Sequence, residues 1–315
     1  MSNFKKHSDR EIFSFFLEQS NKNVQGVFHI SSSKPGPIVG ITACTHGNEP
    51  AGLAAFSYLL HEVDVEKNLL RGELYLIVNN IRAAEKYFEG DSLSRFIDIN
   101  MNRLPIDIQE AHTSENYEIA RARELLPIWK KFTHGLDIHS TRSEMKPMII
   151  GRENTFHSGL IEGIPIDTLI SNIDKIQINK PAFFFYGQKP SDQVFAIEAG
   201  SHESPTSFER ATAASTIMLE NLDMLKKTHR TPKKEYTEYK VRDSILFPNF
   251  SYNFAPGIED FKKISKGTVI ATDGGDNSIS MPFDGCVILK TTPKNRKELT
   301  EEVAFLTTCP KKRIL

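Results

Sequence analysis

Between residues 24 and 228 the chain alternates short runs of β-forming residues with longer stretches of helical periodicity, and this alternation confines it to an α/β layer fold. The predicted strands are 24–30, 37–44, 73–79, 135–139, 147–150, 175–178 and 194–198, and the predicted helices are 11–18, 50–63, 114–132 and 207–227. In the last helix Ala211, Ala214, Ile217, Met218 and Leu222 share one face, with Pro205 at its entrance. A polar stretch over 226–235 then reads as a linker or surface crossing. Beyond it, alternating runs at 238–242, 267–271 and 285–289, separated by the turn signals Asp273-Gly274-Gly275 and Asp284-Gly285, predict a smaller β-rich unit. The boundary falls between 1–230 and 231–315, a division that 315 residues allow at about 150 residues per domain.

Charge and cysteine usage narrow the partners. Lysine plus arginine number 39 against 40 acids, so a net charge of −1 provides no field to gather nucleic acid or anionic lipid. The three cysteines, Cys44, Cys286 and Cys309, form no CxxC pair, which argues for a reducing, cytoplasmic setting rather than a disulfide framework. Residues 11–18 read as an amphipathic helix rather than a signal peptide, and no apolar run approaches the roughly 18 residues that span a bilayer. Internal repeats, a Walker loop and a GxGxxG fingerprint are absent, so nucleotide binding has no support.

Three segments carry chemistry. The run Ile38 to Gly52 is an apolar strand passing directly into a polar turn that holds His46 and Glu49. An imidazole and a carboxylate three apart on a loop can converge on one cation, and two nitrogens plus one carboxylate with an open fourth position is a catalytic zinc arrangement. A helix N-terminus favouring Glu49, with His46 at the surface, is the plainer alternative. His139 ends a second apolar strand, either as a third ligand or as the polar face of that strand together with Asp137. Ser140 beside it lacks the Gly-x-Ser-x-Gly elbow of a serine hydrolase. Glu198 ends a third, largely apolar strand, where a carboxylate needs a partner or a purpose such as general acid/base work. All four residues fall at or just past strand C-termini, the edge where open α/β sheets bind ligands. The segment 94–103 adds Arg95 and Arg103 beside asparagines, and arginine forks suit a carboxylate or a developing oxyanion.

Taken in order, Thr45-His46-Gly47-Asn48-Glu49, Asn80-Ile81-Arg82-Ala83, Ser94-Arg95-Phe96-Ile97-Asp98, Asn102-Arg103, Asp137-Ile138-His139-Ser140-Thr141 and Ile197-Glu198-Ala199-Gly200 resemble the succinylglutamate desuccinylase and aspartoacylase family, a branch related to zinc carboxypeptidases. The resemblance spans about residues 40–200. It implies a zinc-carboxypeptidase-like mixed sheet flanked by helices over 1–230, with the β-rich unit of 231–315 capping the site. It implies one Zn2+ per chain held by His46, Glu49 and His139, with Glu198 as general acid/base and Arg95 polarising the scissile carbonyl. Asn102 and Arg103 match the pair that grips a substrate's free carboxylate. The implied reaction is hydrolysis of the amide of an N-acyl amino acid by metal-activated water.

Departures from the family pattern touch substrate choice. Asn100 stands where an acidic residue is usual in the Asn100-Met101-Asn102-Arg103 stretch, Ile81 where a proline is usual, and 294–299 offers no tyrosine such as aspartoacylase supplies. Arg142 is a candidate contact for an acidic acyl group, with a surface role as its alternative, and His202 is a candidate lining residue or helix cap. Asp98 and Asp137 are candidates for orienting the ligands. Cys44 is expected to be small buried packing, and the aromatic cluster 183–186 to be core. The competing readings are a carboxypeptidase acting on short peptides and a binding protein that keeps the metal without turnover. The sequence leaves homo-oligomer formation open.

Overall fold

The computed structural model describes residues 9–18, 24–109, 116–142, 144–157, 159–187, 189, 191–202, 204–228, 235–291 and 301–314. The chain begins with α1 (Asp9–Glu18), β1 (Val27–Ser31), β2 (Ile38–Ala43), α2 (Ala51–Ser57), α3 (Val65–Asn68), β3 (Glu73–Val78) and α4 (Ile81–Phe88). It continues through α5 (Tyr117–Trp129), β4 (His134–Thr141), β5 (Met148–Gly151), α6 (Glu153–Phe156), β6 (Thr168–Ser171), α7 (Ile173–Ile176), β7 (Gln193–Ser201) and α8 (Pro205–Asn221). Only strands follow among the described residues: β8 (Glu235–Ile245), β9 (Asn253–Phe254), β10 (Lys263–Ile264), β11 (Val269–Thr272), β12 (Ser278–Ser280), β13 (Gly285–Ile288), β14 (Ala304–Thr308) and β15 (Lys311–Ile314).

Twelve strands form one mixed sheet in the order β1-β3-β2-β4-β7-β5-β6-β8-β14-β13-β10, with β15 added on β8, while β9, β11 and β12 make a separate antiparallel sheet. Strands β3, β2, β4 and β7 are parallel neighbours. After β2 the chain returns on one side as β3 and then on the other as β4, so a crevice opens at the C-terminal ends of β2 and β4.

Side-chain alternation along the strands decides what faces that crevice. On one face of the sheet, Val39, Ile41, Leu136, Ile138, Phe195, Ile197 and Ala199 pack with Phe13 and Phe16 of α1, Leu53 and Phe56 of α2, and Ala214 and Met218 of α8. On the other face, Tyr75, Ile77, Val194 and Ala196 pack with Trp129, Phe132, Met101 and Tyr186. By the same alternation Asp137, His139 and Glu198 belong to the second face, and His139 and Glu198 are register partners on β4 and β7.

The mixed sheet, the flanking helices and the β-rich C-terminal region agree with the sequence reading, but several details differ. Residues 175–178, predicted as a strand, lie at and beyond the end of α7. Ile173 and Ile176 have helical i, i+3 spacing, and Asn172 at φ 68° turns the chain sharply into the helix. The strand of this region is β6, four buried residues between β5 and β8 that were too short to stand out from the pattern. Helix α4 was not anticipated. It starts because the Asn80 side chain accepts a hydrogen bond from the Ala83 amide, a standard N-cap. The predicted helix 50–63 is α2 followed by a π-helical turn, Tyr58–Glu62. The predicted start of helix 114–132 and most of the polar stretch 226–235 lie outside the described residues. Strand β8 pairs parallel with β6 and antiparallel with β14, so the sheet passes without a break into the C-terminal region. That region has its own core of Phe247, Tyr252, Ile270, Met281, Val287 and Leu306. Among the described residues no helix is long and apolar enough to cross a membrane.

The loop that carries Arg95 is held by one buried carboxylate. Glu118, in the first turn of α5, is fully buried. Its Oε1 accepts from Asn80 Nδ2 at 3.0 Å and from the Ile97 amide at 2.6 Å, and its Oε2 accepts from the amides of Asp98 at 3.0 Å and Ile99 at 3.1 Å. Asp98 answers by accepting from the Tyr117 amide at 2.7 Å, so its carboxylate caps α5. Glu118→Gln turns an NH2 toward donors that need an acceptor. The expected loss is about 1–3 kcal/mol of stability in urea unfolding. Amide exchange at residues 97–99 should accelerate relative to β4 amides, and unchanged exchange there would show that the loop is held by something else.

Candidate metal centre and active site

The turn after β2 is shaped for close approach. Cys44 has a left-handed backbone at φ 51° and is fully buried, as the sequence led us to expect. The amides of Asn79 and Asn80 donate to the carbonyls of Ala43 and Cys44. The Gly47 amide donates to the Arg95 carbonyl at 2.9 Å, and a Cβ at Gly47 would lie 2.2 Å from the Ala83 carbonyl carbon, so only glycine fits. This packing sets His46 and Glu49 beside the ends of β3 and β4.

Glu49 is the hub. Its Oε1 lies 2.8 Å from His46 Nδ1 and 2.5 Å from Arg95 NH1, and its Oε2 lies 2.8 Å from His139 Nδ1 and 3.3 Å from the Ser140 amide. His46, Glu49 and His139 are all buried, and their candidate ligand atoms lie within 4.8 Å of one another. Each imidazole is held from behind by its other nitrogen. His139 Nε2 is 3.0 Å from Asp137 Oδ2, and His46 Nε2 is 2.8 Å from Asn100 Oδ1. Such outer partners orient histidine ligands.

The donor set fits a cation. Asn100 Oδ1 also accepts from the Asn102 amide at 2.8 Å, which fixes its oxygen toward His46 and makes His46 Nε2 a donor. A neutral imidazole then turns its Nδ1 lone pair toward Glu49 Oε1, two acceptors facing each other where a metal ion would satisfy both. Burial, reinforced by the Arg95 charge, lowers the His46 pKa to about 4, in keeping with a neutral ring. Burial also works against the charged forms of Glu49 and His139. For Glu49 the His46, Arg95 and His139 interactions outweigh it and hold the carboxyl well below its usual range. For His139, lying between two carboxylates, Asp137 and Glu49 outweigh it and hold the ring well above its usual value.

Behind His139 lies a polar network that the sequence reading only touched. Asp137, considered there as an orienting residue, is fully buried and accepts from Thr42 Oγ1 and Thr45 Oγ1, both at 2.7 Å. Thr42 Oγ1 also lies 2.8 Å from the Tyr186 hydroxyl, and Asn79 Nδ2 donates to Thr45 Oγ1 at 2.7 Å and to the Tyr186 oxygen at 3.1 Å. The ring of Tyr186 is core, as expected for the aromatic cluster, but its hydroxyl belongs to this network. The signal was available in Thr42, a polar residue inside an apolar strand, on the same face as Asp137 one strand over.

Glu198 lies opposite His139 in register, and its Oε2 is buried without a hydrogen-bond partner among the described residues. Burial, with Glu49 and Asp137 adding to it against His139 and Arg95, pushes its carboxyl up to about 8. Arg95 reaches Glu49 with its side chain 42% exposed, so part of it stays open to solvent. Asn102 Nδ2 lies 3.3 Å from His139 Nε2, and its Oδ1 accepts from the Ala182 amide at 3.1 Å. Arg103 is not open. Its Nε lies 3.4 Å from Glu302 and 3.8 Å from Glu301, and its NH1 donates to the Asn102 carbonyl at 2.9 Å. His202 Nδ1 is 2.8 Å from Ser140 Oγ, which joins it to the backbone that donates to Glu49. Arg142 is exposed beyond β4 and has no ion-pair partner among the described residues.

Comparison with known proteins agrees with this layout. Residues 35–225 match the model of the succinylglutamate desuccinylase/aspartoacylase catalytic domain. The succinylglutamate desuccinylase of Idiomarina loihiensis is 22% identical over 286 residues, covering 82% of this chain and 80% of that protein. Among solved structures, succinylglutamate desuccinylase from Vibrio parahaemolyticus superposes with a TM-score of 0.70 at 15% identity, covering 92% of this chain and 90% of that one. Murine aminoacylase 3 gives 0.61 at 20% identity, covering 90% and 98%. The two structures share the fold, and the matched catalytic-domain model spans every residue of the crevice from His46 to Glu198. The chain belongs to the succinylglutamate desuccinylase/aspartoacylase family.

Proposed function

We propose that this protein is a zinc-dependent deacylase that hydrolyses the amide bond of small N-acylated amino-acid-type substrates. The observation that carries the reading is the buried His46–Glu49–His139 cluster set against the unpartnered carboxylate oxygen of Glu198. His46, Glu49 and His139 would hold the ion, one per chain, and a divalent ion held there supplies Lewis acidity to the crevice. The family relationship and relatives named as a desuccinylase and an aminoacylase support amide hydrolysis. Three free thiols suit a cytoplasmic setting.

Glu198 is the proton carrier in this reading. A carboxyl pushed up to about 8 by burial is basic enough to take a proton from the attacking water and acidic enough to return it to the departing amine near neutral pH. Arg95 is held by Glu49 and remains partly exposed, which supports a role for its guanidinium in stabilising charge that develops on the carbonyl oxygen. Glu301 and Glu302 reach Arg103 from the C-terminal region, and the Ile178 amide donates to Glu302 Oε1 at 2.7 Å. We read residues 231–315 as a cap over this end, which favours small substrates over extended peptides.

Calorimetric titration of chelator-treated protein with zinc should find one tight site per chain, and His139→Ala should abolish it. Folded protein that takes up no zinc, or an unaffected His139→Ala, would remove the basis of the mechanism. Glu198→Gln should bind zinc as the wild type does while turnover of N-acyl amino acids and their amides falls by about 10²–10⁴. Equal loss of zinc in that variant would assign Glu198 to the metal instead.

A further inference from the structure

Arg103 matches the family arginine that grips a free carboxylate, yet here the chain brings its own carboxylates to it. Glu302 Oε2 lies 3.4 Å and Glu301 Oε2 3.8 Å from Arg103 Nε. The Glu302 side chain is 1% exposed, and its other oxygen accepts from the Ile178 amide, so it is a fixed partner rather than a gate. The arginine is equally fixed. Its NH1 donates to the Asn102 carbonyl, and that carbonyl also accepts from Gln177 Nε2 at 2.5 Å. Leu104 pairs backbone to backbone with Lys180 on the next step of the same seam. Three segments, 102–104, 177–180 and 301–302, thus meet around one buried ion pair.

A third group with negative charge would have to enter beside Glu302 and approach a guanidinium that is hydrogen-bonded through NH1 and ion-paired through an Nε that makes no hydrogen bond among the described residues. Like charges brought together in a buried setting oppose binding strongly. Hydrogen-bonding groups without charge carry no such penalty. We infer that Glu302 determines specificity by occupying Arg103, so that the substrate end lying against Arg103 is uncharged, an amide, ester or hydroxyl rather than a free carboxylate. This rests on reading the crevice as the site of an N-acyl compound. It narrows the substrate class to N-acylated amines or amino-acid derivatives without a free carboxylate at that end.

The test compares matched pairs, N-acetyl and N-succinyl amino acids and their primary carboxamides, binding to zinc-loaded protein by calorimetry, with kcat/KM measured in parallel. The carboxamides should bind the wild type at least as tightly as the acids, and Glu302→Gln should shift the ratio toward the acids by about tenfold. Glu301→Gln, at a partly exposed position, should shift it the same way by less, which keeps the test available if Glu302→Gln does not fold. Tenfold preference for the acids in the wild type overturns the inference, as does a ratio that both variants leave unmoved. Tighter carboxamide binding with turnover of neither series supports the inference while refuting the deacylase reading, and binding of neither overturns both.

Discussion

The carboxylate of Glu49 is the point on which the site depends. It is buried, it is shared by two imidazoles, a guanidinium and a backbone amide, and these come from three separate parts of the chain. A charge removed from water to this degree is tolerable only when it is paired, and Arg95, His139 and the Ser140 amide supply that pairing. That requirement couples the turn after β2, the end of β4 and the Arg95 loop. Gly47, the Asn79 and Asn80 amides and the four donors on Glu118 can be understood as the means of holding those three segments to the tolerance the carboxylate demands.

The two histidines meet Glu49 through the same ring atom but are backed differently. His139 has the anionic Asp137 behind it, itself supported by two threonine hydroxyls, whereas His46 has the neutral amide of Asn100. The acid-to-asparagine departure noted in the sequence therefore falls on the residue that orients His46. Asn100 keeps the acceptor that His46 needs and removes a negative charge from a crevice that already contains Glu49, Asp137 and Glu198.

Much of this was legible in the sequence because the informative residues break an apolar pattern at strand ends. His46, Glu49, His139 and Glu198 were each identifiable as polar groups where a strand runs out, and the sheet brings them to one crevice. Alternation sets His139 and Glu198 on one face, opposite Leu136 and Ile138 on β4 and Ile197 and Ala199 on β7. What escaped was of two kinds. Short elements such as β6 and α7 carry too few residues for either period to declare itself, so 175–178 was misread. Long-range pairings leave no local trace, and nothing in residues 94–103 announces that Arg103 will meet Glu302 or that Glu118 will hold the Arg95 loop. Tyr186 shows both sides, since its apolar neighbourhood was readable and its hydroxyl bond to Thr42, 144 positions away, was not.

The continuity of the sheet through β6 and β8 bears on how the chain can be divided. The four residues of β6 are all buried, three of them paired with β5 within the first part of the chain and all four with β8 from the second. A fragment ending before β8 would leave β6 as a bare apolar edge, with donors and acceptors facing solvent or another copy of itself. The crevice-bearing part of the sheet and the C-terminal strands are therefore joined by a ladder of backbone hydrogen bonds as well as by a linker. Repositioning the C-terminal region as a rigid lid would require that ladder to shear, so movement at the mouth of the site falls to the loops rather than to the sheet.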